Sequence, residues 1–292
     1  MLLFPNNCAN EITLEANPED LSFEKICAYK SLGINRISIG VESLNETDLK
    51  TIRRTHTAHQ AIKAIEESKR AGIDNISIDL MYDLPNQTIE SWEKTVQLAT
   101  KLPITHLSLY NMTIEEPSYY FKHRDKITAQ MPQDEDSLTM LNYAVDELES
   151  SGLKRYEISA FCRDGLISNH NIGYWIGRPF IGLGPSAWSY CNGERYRNIG
   201  NLKKWIEEIE NNKPTIDYTE KLDYPNNINE LFAIRLRLID GADIKDFPSL
   251  SDETMSKLEK MVVENYLSKQ GSSFSLTKMG RLFYNDVASE IV

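Results

Sequence analysis

Three segments of this chain are built on one unit: SLGINRISIGVES from Ser31, RAGIDNISIDLMYDLP from Arg70 and SSGLKRYEISAF from Ser150. In each, a glycine follows a helical stretch and is itself followed by an apolar residue. Helices end this way when the chain turns into the left-handed region, where glycine meets no steric penalty. Six residues past each glycine lies the middle of an alternating run, at Ile39, Ile78 and Ile158. EITLEAN from Glu11 and ITHLSLYN from Ile104 fit as two more strands without the glycine, and PEDLSFEKICAYKSL, TAHQAIKAIEESKR and the stretch from Ser137 to Ser150 read as helices. Strands alternating with helices require right-handed crossovers and a parallel sheet. The five units fall short of a closed eightfold barrel.

The two faces of these strands differ in chemistry. One parity is apolar: Ile37, Ile39 and Val41, then Ile76, Ile78 and Leu80, then Leu107 and Leu109. The other is small or polar: Thr13 and Glu15; Ser38, Gly40 and Glu42; Ser77, Asp79 and Met81; Ser108 and Tyr110; Glu157 and Ser159. Closed barrels fill their interior with branched apolar side chains, and unpaired polar atoms in a dry core cost about 1–3 kcal/mol each. The polar parity therefore predicts an open or incomplete barrel with a wet inner face that accepts a large ligand. Glu15, Glu42 and Asp79 fall toward the C-terminal strand ends, where α/β folds bind ligands. Carboxylates there suit ribose hydroxyls or an ammonium group; the competing expectation is internal salt bridges to Arg36, Arg54 or Arg155. A hydrolase using two of the three carboxylates is a further alternative, ranked last.

The net charge of −11 argues against general affinity for nucleic acid or acidic membranes. The four cysteines, Cys8, Cys27, Cys162 and Cys191, are far apart in sequence, which suits free thiols in a reducing cytosol. No apolar run reaches the roughly 20 residues of a membrane span. Residues 159–200 are rich in glycine and aromatics, poor in helical periodicity, and read as a long loop, either an ordinary surface loop or a functional lid or binding segment. From Lys221 onward 9 Lys/Arg face 11 Asp/Glu. There NELFAIRLRLIDG offers a helix with an apolar face through Leu231, Ile234, Leu238 and Ile239, closed by Gly241. A helix from Ser251, a short strand and a last helix capped by Thr277 complete the order of a small winged-helix module, one without a basic stripe for DNA. The organisation expected is a barrel part over 1–165, a Gly/aromatic segment over 166–220 and a helical domain over 221–292.

LEANP, NRISIGVES, the Arg54-Thr55-His56 triplet, IDLMYDLPNQT, HLSLYNMTIE, YEISAF, HNIGYW and GLGPSA occur in this order. In that order the chain resembles the oxygen-independent coproporphyrinogen III oxidase-like branch of the radical SAM superfamily. HNIGYW, YEISAF and LYNMTIE look more like its haem chaperones than its coproporphyrinogen dehydrogenases. The resemblance implies an α/β fold: an incomplete parallel (β/α) barrel of the radical SAM type, with a C-terminal, mainly helical, winged-helix-like domain. It implies S-adenosylmethionine contacts at Glu15, Glu42, Arg54, Asp79 and Thr113, with a glutamate at 42 where the family usually has glutamine. The family's YGLP turn reads Tyr82-Asp83-Leu84-Pro85, and Asp tolerates positive φ better than most residues. The same resemblance makes His170 the candidate axial ligand to haem iron. Asn171 would orient the segment or bond a propionate, and Tyr174 and Trp175 would lie flat against the macrocycle.

The function this resemblance implies is that of a cytoplasmic protein that binds haem and passes it to haem-accepting proteins, membrane-associated acceptors among them. The alternative is a truncated copy of a coproporphyrinogen III oxidase-type enzyme of porphyrin biosynthesis. The family's CxxxCxxC loop, whose thiolates hold a [4Fe–4S] cluster, does not occur in this sequence, nor does a GGGTP-type segment. The opening part of the family pattern is absent, and the expectation is therefore a chain without radical catalysis.

Overall fold

A computed structural model describes residues 10–292; Cys8 lies outside the described residues. The chain divides into two compact units, one ending at Ser168 and the other running from Asn169 to Val292. The segments 166–220 and 221–292 fall almost wholly in the second.

The first unit runs β1 (Thr13–Ala16), α1 (Phe23–Ser31), β2 (Arg36–Glu42), α2 (Glu46–Thr51), α3 (Ala58–Arg70), β3 (Asn75–Tyr82), α4 (Ile89–Ala99), β4 (His106–Asn111), the short α5 (Tyr119–Lys122) and α6 (Arg124–Thr128), α7 (Asp134–Ser150), β5 (Lys154–Glu157) and β6 (Ala160–Cys162). Gly33, Gly72 and Gly152 end their helices at φ +101°, +83° and +92°, as the repeated unit requires. Thr57 and Thr88 start α3 and α4 with reciprocal capping boxes to Gln60 and Ser91.

One six-stranded sheet has the order β1-β2-β3-β4-β6-β5. β1 to β4 are parallel, with Glu15 beside Ser38, Ser38 beside Ser77 and Ser77 beside His106. The apolar parity is fully enclosed: Ile37, Ile39, Val41, Ile76, Ile78, Leu80 and Leu107 have no exposed surface, and they share a core with Ile26, Ile65, Trp92, Met140 and Leu148 from the helices. Each such side chain contributes about 1.5–3 kcal/mol on burial. Trp92 satisfies its indole N–H by donating to the Met140 carbonyl at 2.8 Å.

The fifth parallel strand does not form. YEISAF breaks into a hairpin, with β6 antiparallel to both β4 and β5. The reversal is local. Glu157 accepts from the Ser159 backbone N–H at 3.0 Å and its hydroxyl at 2.8 Å, and Arg155 Nε donates to the Ile158 carbonyl at 2.9 Å. Ile158 is thus a turn residue, not a strand centre.

The second unit runs α8 (Asn169–Trp175), β7 (Trp188–Cys191), β8 (Glu194–Asn198), α9 (Leu202–Glu210), β9 (Ile216–Lys221), α10 (Asn226–Arg235), β10 (Ala242–Asp243), α11 (Asp252–Val263), β11 (Leu267–Gln270), β12 (Ser273–Leu276), α12 (Lys278–Leu282) and α13 (Tyr284–Ile291). β7-β8-β9 and β10-β12-β11 are antiparallel sheets. The long loop expected over 159–200 is therefore replaced by helix and hairpin. The later elements follow the winged-helix order, with Ser251 and Thr277 accepting from the backbone N–H groups of Thr254 and Gly280 as caps. α10 ends at Arg235, before Leu238 and Ile239. Its buried face is Phe232 and Ala233, continued by Leu236, while Leu231 and Ile234 face a cavity. Among the described residues no helix is long and apolar enough to cross a membrane.

Candidate functional site

The polar parity of β1–β4 forms one wall of the first unit, and it is not uniformly wet. Toward the C-terminal strand ends Glu15 and Tyr110 are exposed and Asp79 is half-buried. Ser38, Ser77, Ser108, Arg36 and His106 are buried, the last without exposed surface. The wet face expected from the sequence is thus confined to one end of the wall. Burial pushes the Asp79 carboxyl up to about 6; a Ser108 hydrogen bond and the Arg36 charge oppose this, and the charges of Glu42 and Glu15 add to it.

Glu42 lies at the end of β2 in the left-handed region, φ +62°, and is buried. Its carboxylate accepts from the Arg54 guanidinium, whose other terminal nitrogen reaches Asn17 Oδ1 at 3.4 Å. The salt-bridge expectation is met at Arg54, and the glutamate that replaces the family glutamine supplies its counter-ion. Thr55 donates to Glu19, and buried His56 sits with Nδ1 3.3 Å from Glu19 and Nε2 3.1 Å from the Val41 carbonyl. Burial raises the Glu19 carboxyl. The Thr55 hydroxyl, its own backbone N–H and the charges of His56 and Arg54 outweigh that and hold it below the usual range. The whole triplet therefore pins the loop after α2 to the end of β2 and to the turn after β1. Thr113 stands exposed past β4, donating to Glu115 at 3.4 Å. Asp83 takes φ +61°, as the altered YDLP turn demands.

At the N-terminal ends of the strands lies a network that sequence reasoning missed. Ser77 Oγ is 2.8 Å from His106 Nδ1, and His106 Nε2 is 2.8 Å from the Tyr156 hydroxyl, which accepts from the Ser168 backbone N–H at 3.2 Å. Burial, with the nearby Arg36 charge, lowers the His106 imidazole to about 3 and keeps it neutral. Arg36 Nε is buried without a hydrogen-bond partner among the described residues. Both residues share the parity of Ser38 and Ser108, and that parity was the available signal.

HNIGYW occupies α8 in the second unit. His170 is exposed, and Asn171, Tyr174 and Trp175 are half-buried. The Tyr174 hydroxyl lies 2.7 Å from His170 Nε2, with the two rings edge to face at 4.8 Å. Tyr174 also meets Phe180 edge to face at 4.6 Å, and the Arg237 guanidinium lies over the Trp175 ring at 4.2 Å. Tyr174 and Trp175 line a cavity of about 340 Å³ with Phe180, Trp188, Leu231 and Ile234; Arg178 stands at its wall. Tyr174 and Trp175 thus turn two rings of one short helix onto the hollow, and His170 and Asn171 stand on the same helix outside its lining.

The sequence model of the radical SAM superfamily matches residues 6–99. The heme chaperone HemW of Bacillus subtilis is 32% identical over 292 residues, covering 98% of this chain and 77% of that protein. The heme chaperone HemW of Lactococcus lactis is 34% identical, covering 85% of this chain and 65% of its own length. The chain belongs to the HemW family of the radical SAM superfamily. The solved structure of coproporphyrinogen III oxidase (HemN) from Escherichia coli, a radical SAM enzyme, superposes with a TM-score of 0.82 over 96% of this chain and 69% of that one. At 19% identity that likeness speaks for the fold alone.

HemW membership implies S-adenosylmethionine and a [4Fe–4S] cluster. The residues present do not fit the cluster. Cys27 is exposed on α1, Cys162 is buried on β6 and Cys191 lies on β7 of the other unit. Among the described residues no group of three or more His, Cys, Asp or Glu is placed to hold a metal ion. The fit to adenosylmethionine is partial. Glu15 and Asp79 offer acceptors for hydroxyls, but Arg54 is already neutralised by Glu42.

Proposed function

We propose that this chain binds haem at α8 and hands it to haem-dependent acceptor proteins in the cytoplasm, membrane-associated ones included. The observation that carries this reading is the arrangement of HNIGYW: an exposed imidazole beside two aromatic rings that open onto an apolar cavity, in a chain whose relatives are heme chaperones. Haem has a flat apolar body and an anionic edge. Trp175 and Tyr174 supply area for the first, and Asn171 and Arg178 supply donors for the propionates. The cavity is smaller than a porphyrin, so it takes one edge of the macrocycle and leaves iron near the exposed imidazole. A shallow, partly exposed site suits a carrier, because the cargo has to leave. His170 is the axial ligand in this reading, with Tyr174 holding the ring until iron displaces the hydroxyl. Contacts to S-adenosylmethionine at Glu15, Asp79, Arg54, Glu42 and Thr113 belong to the same proposal. The porphyrinogen-oxidase alternative gains only a shared fold.

The test is titration of the purified chain with hemin, followed by mixing with apomyoglobin as a surrogate acceptor. The wild type is expected to give a shifted Soret band that moves to myoglobin on mixing. His170→Ala should bind more weakly and with a different spectrum. An unchanged spectrum and affinity in that variant would remove His170 from the site.

A further inference from the structure

We infer that haem enters the cavity beside Tyr174 and Trp175 by its vinyl-bearing edge, with its propionates turned to Arg178. This orientation rests on the haem reading of HNIGYW and adds to it the part of the cargo that the chain selects. The end of α8 sets the geometry. Gly177 takes φ +67° after the last helical turn and donates its N–H to the Tyr174 carbonyl at 3.0 Å, while the Arg178 N–H donates to the Gly173 carbonyl at 2.8 Å. This is the Schellman pairing, and it sends the chain back along the helix it has just left. The Arg178 guanidinium then lies against Gly173, and its Nη2 donates to the Asn169 carbonyl at 2.9 Å. A Cβ at position 173 would run into that guanidinium, which gives a glycine in mid-helix its physical reason.

Charge is unevenly placed around the cavity. Arg178 is exposed, and among the described residues no carboxylate pairs with it. Arg195, the other cation of the lining, is held between Glu220 at 2.5 Å and Glu230 at 2.6 Å. Two carboxylates to one guanidinium leave that group with negative charge in excess, and Glu230 brings it to the cavity wall. The Ser189 hydroxyl already accepts from the Gly182 N–H at 2.9 Å. The lining is otherwise mainly apolar, with Trp175, Phe180, Trp188, Leu231 and Ile234. A propionate placed inside would meet Glu230 and lose its water without gaining an uncommitted cation. At Arg178 it gains a charge-assisted hydrogen bond while staying near solvent. Protohaem carries both propionates on one edge and its vinyls on the other half of the ring. Holding the first at Arg178 therefore directs the second into the cavity, where aromatic and branched side chains cover it.

Three porphyrins titrated into the full chain and followed by the Soret band test this: hemin, iron deuteroporphyrin IX, in which hydrogens replace the vinyls, and hemin dimethyl ester. The wild type is expected to bind hemin about tenfold more tightly than iron deuteroporphyrin, because the missing carbons are cavity contacts. Ile234→Ala should narrow that gap. Arg178→Gln should weaken hemin about tenfold and leave the ester unchanged, since the ester has no charge to pair. Gly173→Ala should repeat the Arg178→Gln pattern with an unchanged circular dichroism spectrum, because the added methyl displaces the guanidinium. Equal affinity for hemin and iron deuteroporphyrin, or an Arg178→Gln variant that weakens ester and diacid alike, overturns the orientation and leaves haem binding intact. A wild type that leaves all three porphyrins free removes the haem reading itself, and the orientation with it.

Discussion

Asp79 and His106 sit on one wall and respond to pH in opposite senses. The Asp79 carboxyl is raised from 3.8 to about 6, so the folded state holds its proton more tightly than the unfolded chain does. Its contribution to stability is present below pH 4 and is lost as pH rises to 6. The His106 imidazole is lowered from 6.5 to about 3, so its contribution is full above 6.5 and is lost as pH falls. Asp79→Asn removes the first effect and leaves the second. The variant is expected to gain about 1–3 kcal/mol above pH 7 and nothing below pH 4, read as urea unfolding free energies from pH 4 to 8. A gain equal at all pH values would mean that the carboxyl is not raised. Glu42 bears on the cofactor. While its carboxylate accepts from Arg54, the carboxylate of adenosylmethionine would, under the proposed function, have to displace it. Glu42→Gln keeps the shape and frees the guanidinium, and calorimetric titration with adenosylmethionine should show tighter binding by about tenfold, near 1.4 kcal/mol. Equal affinity in both proteins would place the ligand's carboxylate away from Arg54.

At the scale of elements, the sequence was most readable where both periodicities and punctuation agreed. β2 and β3 alternate cleanly, their helices end in glycine at positive φ, and the parity assigned to the core is the parity with no exposed surface. YEISAF misled because its alternation continues through a reversal with no glycine, proline or asparagine to mark it. The turn is held instead by Glu157 and Arg155 side chains. α8 was hidden by its length: seven residues give fewer than two full turns, with Gly173 in the middle. α10 was read too long because Leu238 and Ile239 keep the helical spacing after the chain has left the helix. The carboxylates at the strand ends and the HNIGYW cluster were visible as residue types in register. Arg36 was named only as a salt-bridge partner for the carboxylates and His106 was given no role, although both are buried on the same wall. Whether a polar side chain is exposed or sealed is set by what covers it, and alternation does not encode that.

At the scale of the molecule, the division at Ser168 separates two kinds of chemistry. The residues proposed for adenosylmethionine belong to the first unit, while the haem candidates and the cavity beside Tyr174 and Trp175 belong wholly to the second. The second unit has its own core, in which Phe232, Leu236, Leu258, Phe274 and Ile291 have no exposed surface, and two antiparallel sheets of its own. A unit of this size can bury enough surface to fold alone. The fragment Asn169–Val292 is therefore expected to unfold in one cooperative transition and to take up hemin with the Soret spectrum of the full chain, whereas the fragment ending at Ser168 should not. Circular dichroism melting establishes the fold first, and the hemin titration is then made on the same sample. A fragment that melts cooperatively yet leaves hemin free would move the haem site out of α8 and its cavity, because every residue assigned to it would be present and in place.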